Sequence, residues 1–209
     1  MEYIKDPRRI EEKSMEMIEE LLGGYNLDRW QKPVVKRIVH TTGDPSFAEI
    51  TVIGKDAAQA GARRLAAGGR VYCDVEMVRS GINRKTTAEL GLDLYCTIHE
   101  PEIANAAKMG GITRAAAAME AALAQQPMNG IFVIGNAPTA LFVLLEAVTA
   151  GRARPALVVG TPVGFVGAAE SKEWLTSFDF PWITVLGQKG GSTIAAAIVN
   201  ALLTLTPDC

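Results

Sequence analysis

The chain carries two histidines, and one of them, His40, sits in the run Arg37-Ile38-Val39-His40-Thr41-Thr42-Gly43-Asp44. Histidine is the side chain that exchanges a proton near neutral pH without special tuning. The sequence shows no CxxC pair and no His/carboxylate metal cluster, so His40 is the first candidate for acid–base work. By residue type alone, a lone histidine near an apolar stretch is more often a hydrogen-bonded packing residue. Arg37 precedes it by three positions, and on a helix that spacing puts both on one face. Lys36 lies within the same turn. Cations so placed oppose a positive imidazole, whereas a polyanionic ligand favours one. The competing reading of Arg37 is a solvated cation near a helix end, where the macrodipole favours it.

Three further positions break local rules. Ser14 falls on the helical stripe of Ile10, Met17, Ile18 and Leu21. It is either a core hydroxyl bonded to the carbonyl four residues back or a hydroxyl offered to a ligand. Arg114 follows Gly110-Gly111-Ile112-Thr113 at a helix start, where a cation opposes the dipole and invites an external anion or a neighbouring carboxylate. His99, between Ile98 and Glu100-Pro101-Glu102, reads as a solvated or ion-paired residue. Gly160-Thr161-Pro162-Val163-Gly164-Phe165-Val166-Gly167 has neither GxGxxG nor P-loop spacing. Its backbone amides can still meet a carboxylate, or its glycines can simply allow close helix–strand packing.

The elements that must hold these residues follow a repeated strand, glycine turn and helix. Ile131–Ile134 leads through Gly135-Asn136-Ala137-Pro138 into a helix to about Ala150. Ala156–Val159 leads through Gly160–Gly164 into a helix near Val166 to Thr176. Trp182–Leu186 leads through Gly187–Gly191 into a helix to about Leu203, with Ser192 as its expected cap. Earlier strands are expected at Glu49–Ile53, Arg70–Cys73 and Asp93–Ile98, with helices over Asp56–Ala67 and Ile112–Gln125. Before them, a helix opening at Asp6-Pro7 should bury Ile10, Met17, Ile18 and Leu21, and a second should run from Asp28 to about His40. Apolar strands joined by helices indicate an α/β fold of three layers, α/β/α, with a mostly parallel, doubly wound sheet and an N-terminal helical region. Ligands of such sheets bind outside the carboxyl ends of the strands, which places the three glycine turns on one rim.

Composition narrows the function classes. The 209 residues suit a single domain, 1–209. A net charge of −2 supplies no basic field, so no nucleic-acid partner is expected. The most apolar run, Gly130 to Val148, is broken by Asn136 and Pro138, so no membrane span is expected. The three cysteines, Cys73, Cys96 and Cys209, read as reduced thiols of a cytoplasmic protein.

Four segments carry a resemblance across essentially the whole chain: Arg37-Ile38-Val39-His40, Cys73-Asp74-Val75-Glu76-Met77-Val78, Ile134-Gly135-Asn136-Ala137-Pro138-Thr139-Ala140-Leu141 and Pro162–Lys172. Together they resemble the precorrin-8X methylmutase family, which includes the cobalt-precorrin-8 methylmutases. The resemblance implies a corrin-biosynthesis isomerase that moves a methyl group from C-11 to C-12 of a corrinoid, giving hydrogenobyrinate or, with cobalt present, cobyrinate. It implies His40 as proton donor, Ser14, Arg37 and Arg114 as substrate contacts, no cofactor and no protein-held metal. It also implies a homodimer with active sites near the interface. Gly81-Ile82-Asn83-Arg84 departs from the family pattern, and the resemblance assigns Asn83 no role. A corrinoid carrier without catalysis and a phosphate- or nucleotide-binding enzyme are the alternatives. Missing GxGxxG and P-loop spacings count against the second.

Overall fold

A computed structural model describes residues 3–205. The chain opens with two helices, α1 (Pro7–Leu21) and α2 (Gln31–Thr42). Asp6 caps α1 by accepting from the Arg8 and Arg9 amides at 2.9 and 3.4 Å, and Pro7 fits the first turn because its missing N–H has no acceptor there. A single turn, α3 (Phe47–Ile50), then enters β1 (Thr51–Ile53). α4 (Ala57–Ala66) and β2 (Gly69–Cys73) follow. Next come the short α5 (Glu76–Gly81) and α6 (Arg84–Glu89), then β3 (Leu92–Tyr95). α7 (Pro101–Gly110) and α8 (Arg114–Gln125) lead to β4 (Ile131–Ile134) and α9 (Pro138–Thr149). The chain continues through β5 (Leu157–Gly160), α10 (Ala168–Leu175), β6 (Trp182–Val185) and α11 (Ser192–Thr204).

The six strands form one sheet in the order β1-β6-β5-β4-β2-β3. Every neighbouring pair is parallel except β1 with β6. Strands β4, β5 and β6 are buried at every residue, as a sheet covered on both faces requires. The edge strand β3 instead reads Leu-Asp-Leu-Tyr, with Asp93 turned to solvent. One face packs on α2, α4, α5 and α11 through Val34, Ile38, Leu65, Val78 and Ile198. The other packs on α8, α9 and α10 through Met119, Leu141 and Leu175. α1 lies outside the first layer, against α2, through Ile18, Leu22, Val35 and Val39.

The three-layer α/β/α reading therefore holds, with several local corrections. Glu49 and Ile50 are helical, and β1 starts at Thr51 and runs antiparallel. β3 ends at Tyr95, so Cys96–Ile98 lies beyond the sheet. Ser192 is the first residue of α11 and makes no capping bond, because Gly191 occupies the flanking position. α5 and α6 interrupt the β2-to-β3 crossover without any long apolar period to announce them. Asn83 caps α6, accepting from the Lys85 and Thr86 amides at 3.0 and 3.2 Å. The α1 stripe expected in the core is largely in water: Ile10, Met17 and Leu21 are 46%, 57% and 54% exposed. A helix packed on one other helix buries a single narrow seam, and here Ile18 and Leu22 fill it. Cys73 and Cys96 are free thiols, and Cys209 lies outside the described residues.

Candidate functional site at the carboxyl rim of the sheet

From β2 the chain steps outward to β3, then returns to β4 and winds the other way through β5 and β6. The carboxyl ends of β2 and β4 thus flank the point where strand order reverses, the usual crevice of a doubly wound sheet. Asp74 directly follows β2 at this point and is fully buried. Its carboxylate accepts from the Gly135, Asn136 and Ala137 amides at 2.9, 2.8 and 2.9 Å. Burial pushes the Asp74 carboxyl above its ordinary range, while those three amides act in the opposite direction. The result is a fixed turn that leaves Asn136 exposed on the rim. An aspartate closing an apolar strand was the sequence signal for this anchor, within the Cys73–Val78 block.

His40 occupies the last turn of α2, where the helix dipole favours a cation. Gly43 ends the helix at φ +64°, a conformation that suits glycine. His40 is exposed and lines a groove of about 230 Å³ between α1 and the end of α2, together with Ser14, Met17, Leu21, Val39 and Pro45. The Ser14 hydroxyl donates to the Ile10 carbonyl at 2.8 Å, so the back-bonded reading is satisfied, yet the same residue faces the groove of His40. The structure brings these two predicted residues together.

Arg37 is placed differently. It lines an adjoining cleft of about 280 Å³ with Met15, Glu19, Lys32, Lys36 and Thr204. Its guanidinium lies 4.0 Å from Glu11, half-exposed. Glu19 accepts from Lys32 and from Lys36, the latter at 2.9 Å, and these bonds hold its carboxyl below the ordinary range. Arg37 and His40, three positions apart on α2, therefore line different recesses, each also walled by side chains of α1.

Arg114 opens α8 on the opposite helical layer and is exposed. It enters none of the ion pairs among the described residues, so the neighbouring-carboxylate reading fails. Thr113 caps α8 and its hydroxyl lies 2.7 Å from that of Thr139, which ties Arg114 to the rim at the start of α9. β4 and β6 are separated only by β5, roughly 10 Å. His99 is exposed in the loop before α7 and outside the His40 groove.

Two lysines escaped the sequence reading. Lys172 on α10 is fully buried. Its ammonium donates to the Lys189 carbonyl at 2.6 Å, and burial pushes it down to about 8. Lys189 itself donates to Asp44 and to the Ser46 hydroxyl, each at 3.0 Å. Nothing in the local sequence of α10 marks Lys172 as buried, and nothing in the linear spacing joins residue 189 to residue 44.

The sheet is a doubly wound α/β fold, with His40 and Ser14 lining one partly apolar groove and Arg114, which enters no ion pair among the described residues, exposed at the start of α8. Residues 9–205 match the family described as precorrin-8X methylmutase. The chain is 44% identical to a cobalt-precorrin-8 methylmutase of Salmonella typhimurium, over 97% of each chain. It is 40% identical to a precorrin-8X methylmutase of Pseudomonas aeruginosa, over 98% of each. The crystal structure of precorrin-8X methylmutase from Thermus thermophilus superposes with a TM-score of 0.86 at 36% identity, covering 95% of this chain and 98% of that one. The chain belongs to the precorrin-8X methylmutase family, a family of isomerases.

Proposed function

We propose that this protein moves the C-11 methyl group of a corrinoid precursor, precorrin-8X or cobalt-precorrin-8, to C-12, with His40 as the proton donor. The observation that carries the reading is the groove shared by Ser14 and His40, within a chain matched to the family over residues 9–205. In this reading, imidazolium His40 donates a proton to a ring nitrogen beside the migrating centre. The ring then draws electron density from the C-11 bond as the methyl shifts. The proton returns after migration, so substrate and product keep the same atoms. Ser14 orients the ring edge, and Arg37 and Arg114 receive peripheral carboxylates as charge-assisted pairs. No nucleophile or cofactor of the protein enters the step.

The groove beside His40 is smaller than the roughly 300–1,000 Å³ typical of pockets that enclose small molecules. A macrocycle bound beside His40 therefore extends beyond this groove. The same reading includes a single domain acting in the cytoplasm as a homodimer. The exposed Ile10, Met17 and Leu21 stripe on the outer helix, bordering the groove, supports a second copy covering that edge.

The test is turnover of a purified C-11-methylated precursor, followed by its absorbance change, with metal-free and cobalt substrates side by side. His40→Asn and His40→Ala should lower kcat by about 10²–10⁴-fold while product binding persists. Wild-type turnover by either folded variant removes His40 as donor. A wild-type protein that binds product but converts neither precursor is a carrier instead.

A further inference from the structure

Beyond the bonds of its ends, the Leu186 amide to the Ile50 carbonyl and the Gly191 amide to the Thr161 carbonyl, each at 2.8 Å, the rim loop 186–191 is held at three points around its tip by residues that the proposed chemistry does not use. From beneath, fully buried Lys172 donates to the Lys189 carbonyl at 2.6 Å. From one side, the Gly164 amide donates to the Gln188 carbonyl at 3.2 Å, which joins the loop to the exposed Phe165–Val166 tip. From the other, the Lys189 ammonium reaches Asp44 and Ser46 at 3.0 Å each and lies 4.9 Å from the centre of the Phe47 ring. Asp44 follows Gly43 directly and precedes Pro45, and both of those neighbours line the groove of His40. Hydrogen bonds from Ser46 first, then Lys189, push the Asp44 carboxyl down to about 2.

Such a convergence is unusual for a lysine whose side chain is half in water. An isolated exposed pair adds roughly 0–1 kcal/mol, so its presence alone says little about stability. What distinguishes Lys189 is that its two ends are used differently. Its carbonyl is anchored to the α10 layer and its ammonium to the turn that ends the His40 helix. We propose that Lys189 is a positioning residue, clamping the groove wall at Gly43–Pro45 to the rim loops after β5 and β6. The clamp rests on the reading of the His40 groove as the reaction site, and it acts through Asp44, without touching the reacting atoms.

The experiment compares Lys189→Met, Lys189→Arg, Asp44→Asn and the Met/Asn double variant with wild type. Steady-state turnover is measured alongside amide hydrogen exchange of peptides covering 43–46 and 186–191. Lys189→Met should raise KM by about twofold to fivefold, the most that losing an exposed pair worth up to about 1 kcal/mol can give, with kcat unchanged. Lys189→Arg should restore most of the loss. The double variant should be no worse than the poorer single one, because both remove one shared interaction. Exchange should quicken in both peptides of Lys189→Met. Wild-type KM in Lys189→Met, additive losses in the double variant, or unchanged exchange at 43–46 each overturn the clamp. If wild-type protein turns over neither corrinoid, the proposed reaction fails, and the exchange measurement still decides the clamp.

Discussion

Replacing Asp74 tests whether a buried carboxylate organises the switch-point turn. Its two oxygens serve three amides, and the bonds from Gly135 and Ala137 are buried while that from Asn136 is partly exposed. Asp74→Ala strands the two buried donors, each at about 1–3 kcal/mol, whereas water can reach the third. The expected loss is about 2–6 kcal/mol. In a chain of this size each kcal/mol lowers the melting temperature by about 2–4 °C, so a drop of about 5–20 °C should appear by calorimetry. Asp74→Asn retains one acceptor oxygen but turns an NH2 towards an amide, so it should lose about half as much. An opposing effect is at work, because removing a buried charge also removes its desolvation cost. The measured order decides between them. Wild type above Asn above Ala means that the amide bonds dominate. An Asn variant as stable as wild type, or an Ala variant melting within about 2 °C of it, refutes the assigned anchoring role.

Two other perturbations bear on the rim. Lys172 carries a folded-state pKa pulled by burial from 10.5 to about 8. Both states are protonated below pH 8, so the burial cost is fully present there. Between about pH 8 and 10.5 the unfolded chain binds more protons, and stability should rise with pH through that window. Urea unfolding of wild type against Lys172→Met at pH 7 and 9.5 isolates the effect, and a wild-type-minus-variant difference that falls with pH contradicts it. At Gly190 an added Cβ would collide with the Thr161 and Pro162 carbonyl oxygens, both backbone atoms. Gly190→Ala should therefore force apart the loops after β5 and β6 and cost about 1–3 kcal/mol. Unchanged urea stability shows that the loops yield freely.

The layers and the strand–turn–helix rhythm were legible because they depend on local order. Ile131–Ile134 and Trp182–Val185 are apolar runs with no alternation, and a chain can bury both faces of such a run only inside a sheet covered on each side. Asp6-Pro7 likewise marks a helix start through bonds within three residues. His40, Ser14, Arg37 and Arg114 stand out by type and local setting, but their roles follow only from the family resemblance. Asp74 lies within the Cys73–Val78 run, but its three amide partners lie more than 60 residues away.

Tertiary structure alone decided how these residues are grouped. Helical spacing put Arg37 beside His40, and the packing of α1 on α2 leaves them in two different recesses. The same spacing assigned Ile10, Met17 and Leu21 to a core, whereas α1 has only one helix to pack against and leaves them exposed. Amphipathic period reports which side chains share a face; how much of that face is covered depends on the neighbours the fold supplies. The sequence by itself determined the strand–turn–helix units at the centre of the sheet, the Asp6 cap and the ionisable groups available for chemistry. The contact between Lys189 and Asp44 spans 145 positions, and no local rule encodes a meeting that only the winding of the sheet produces.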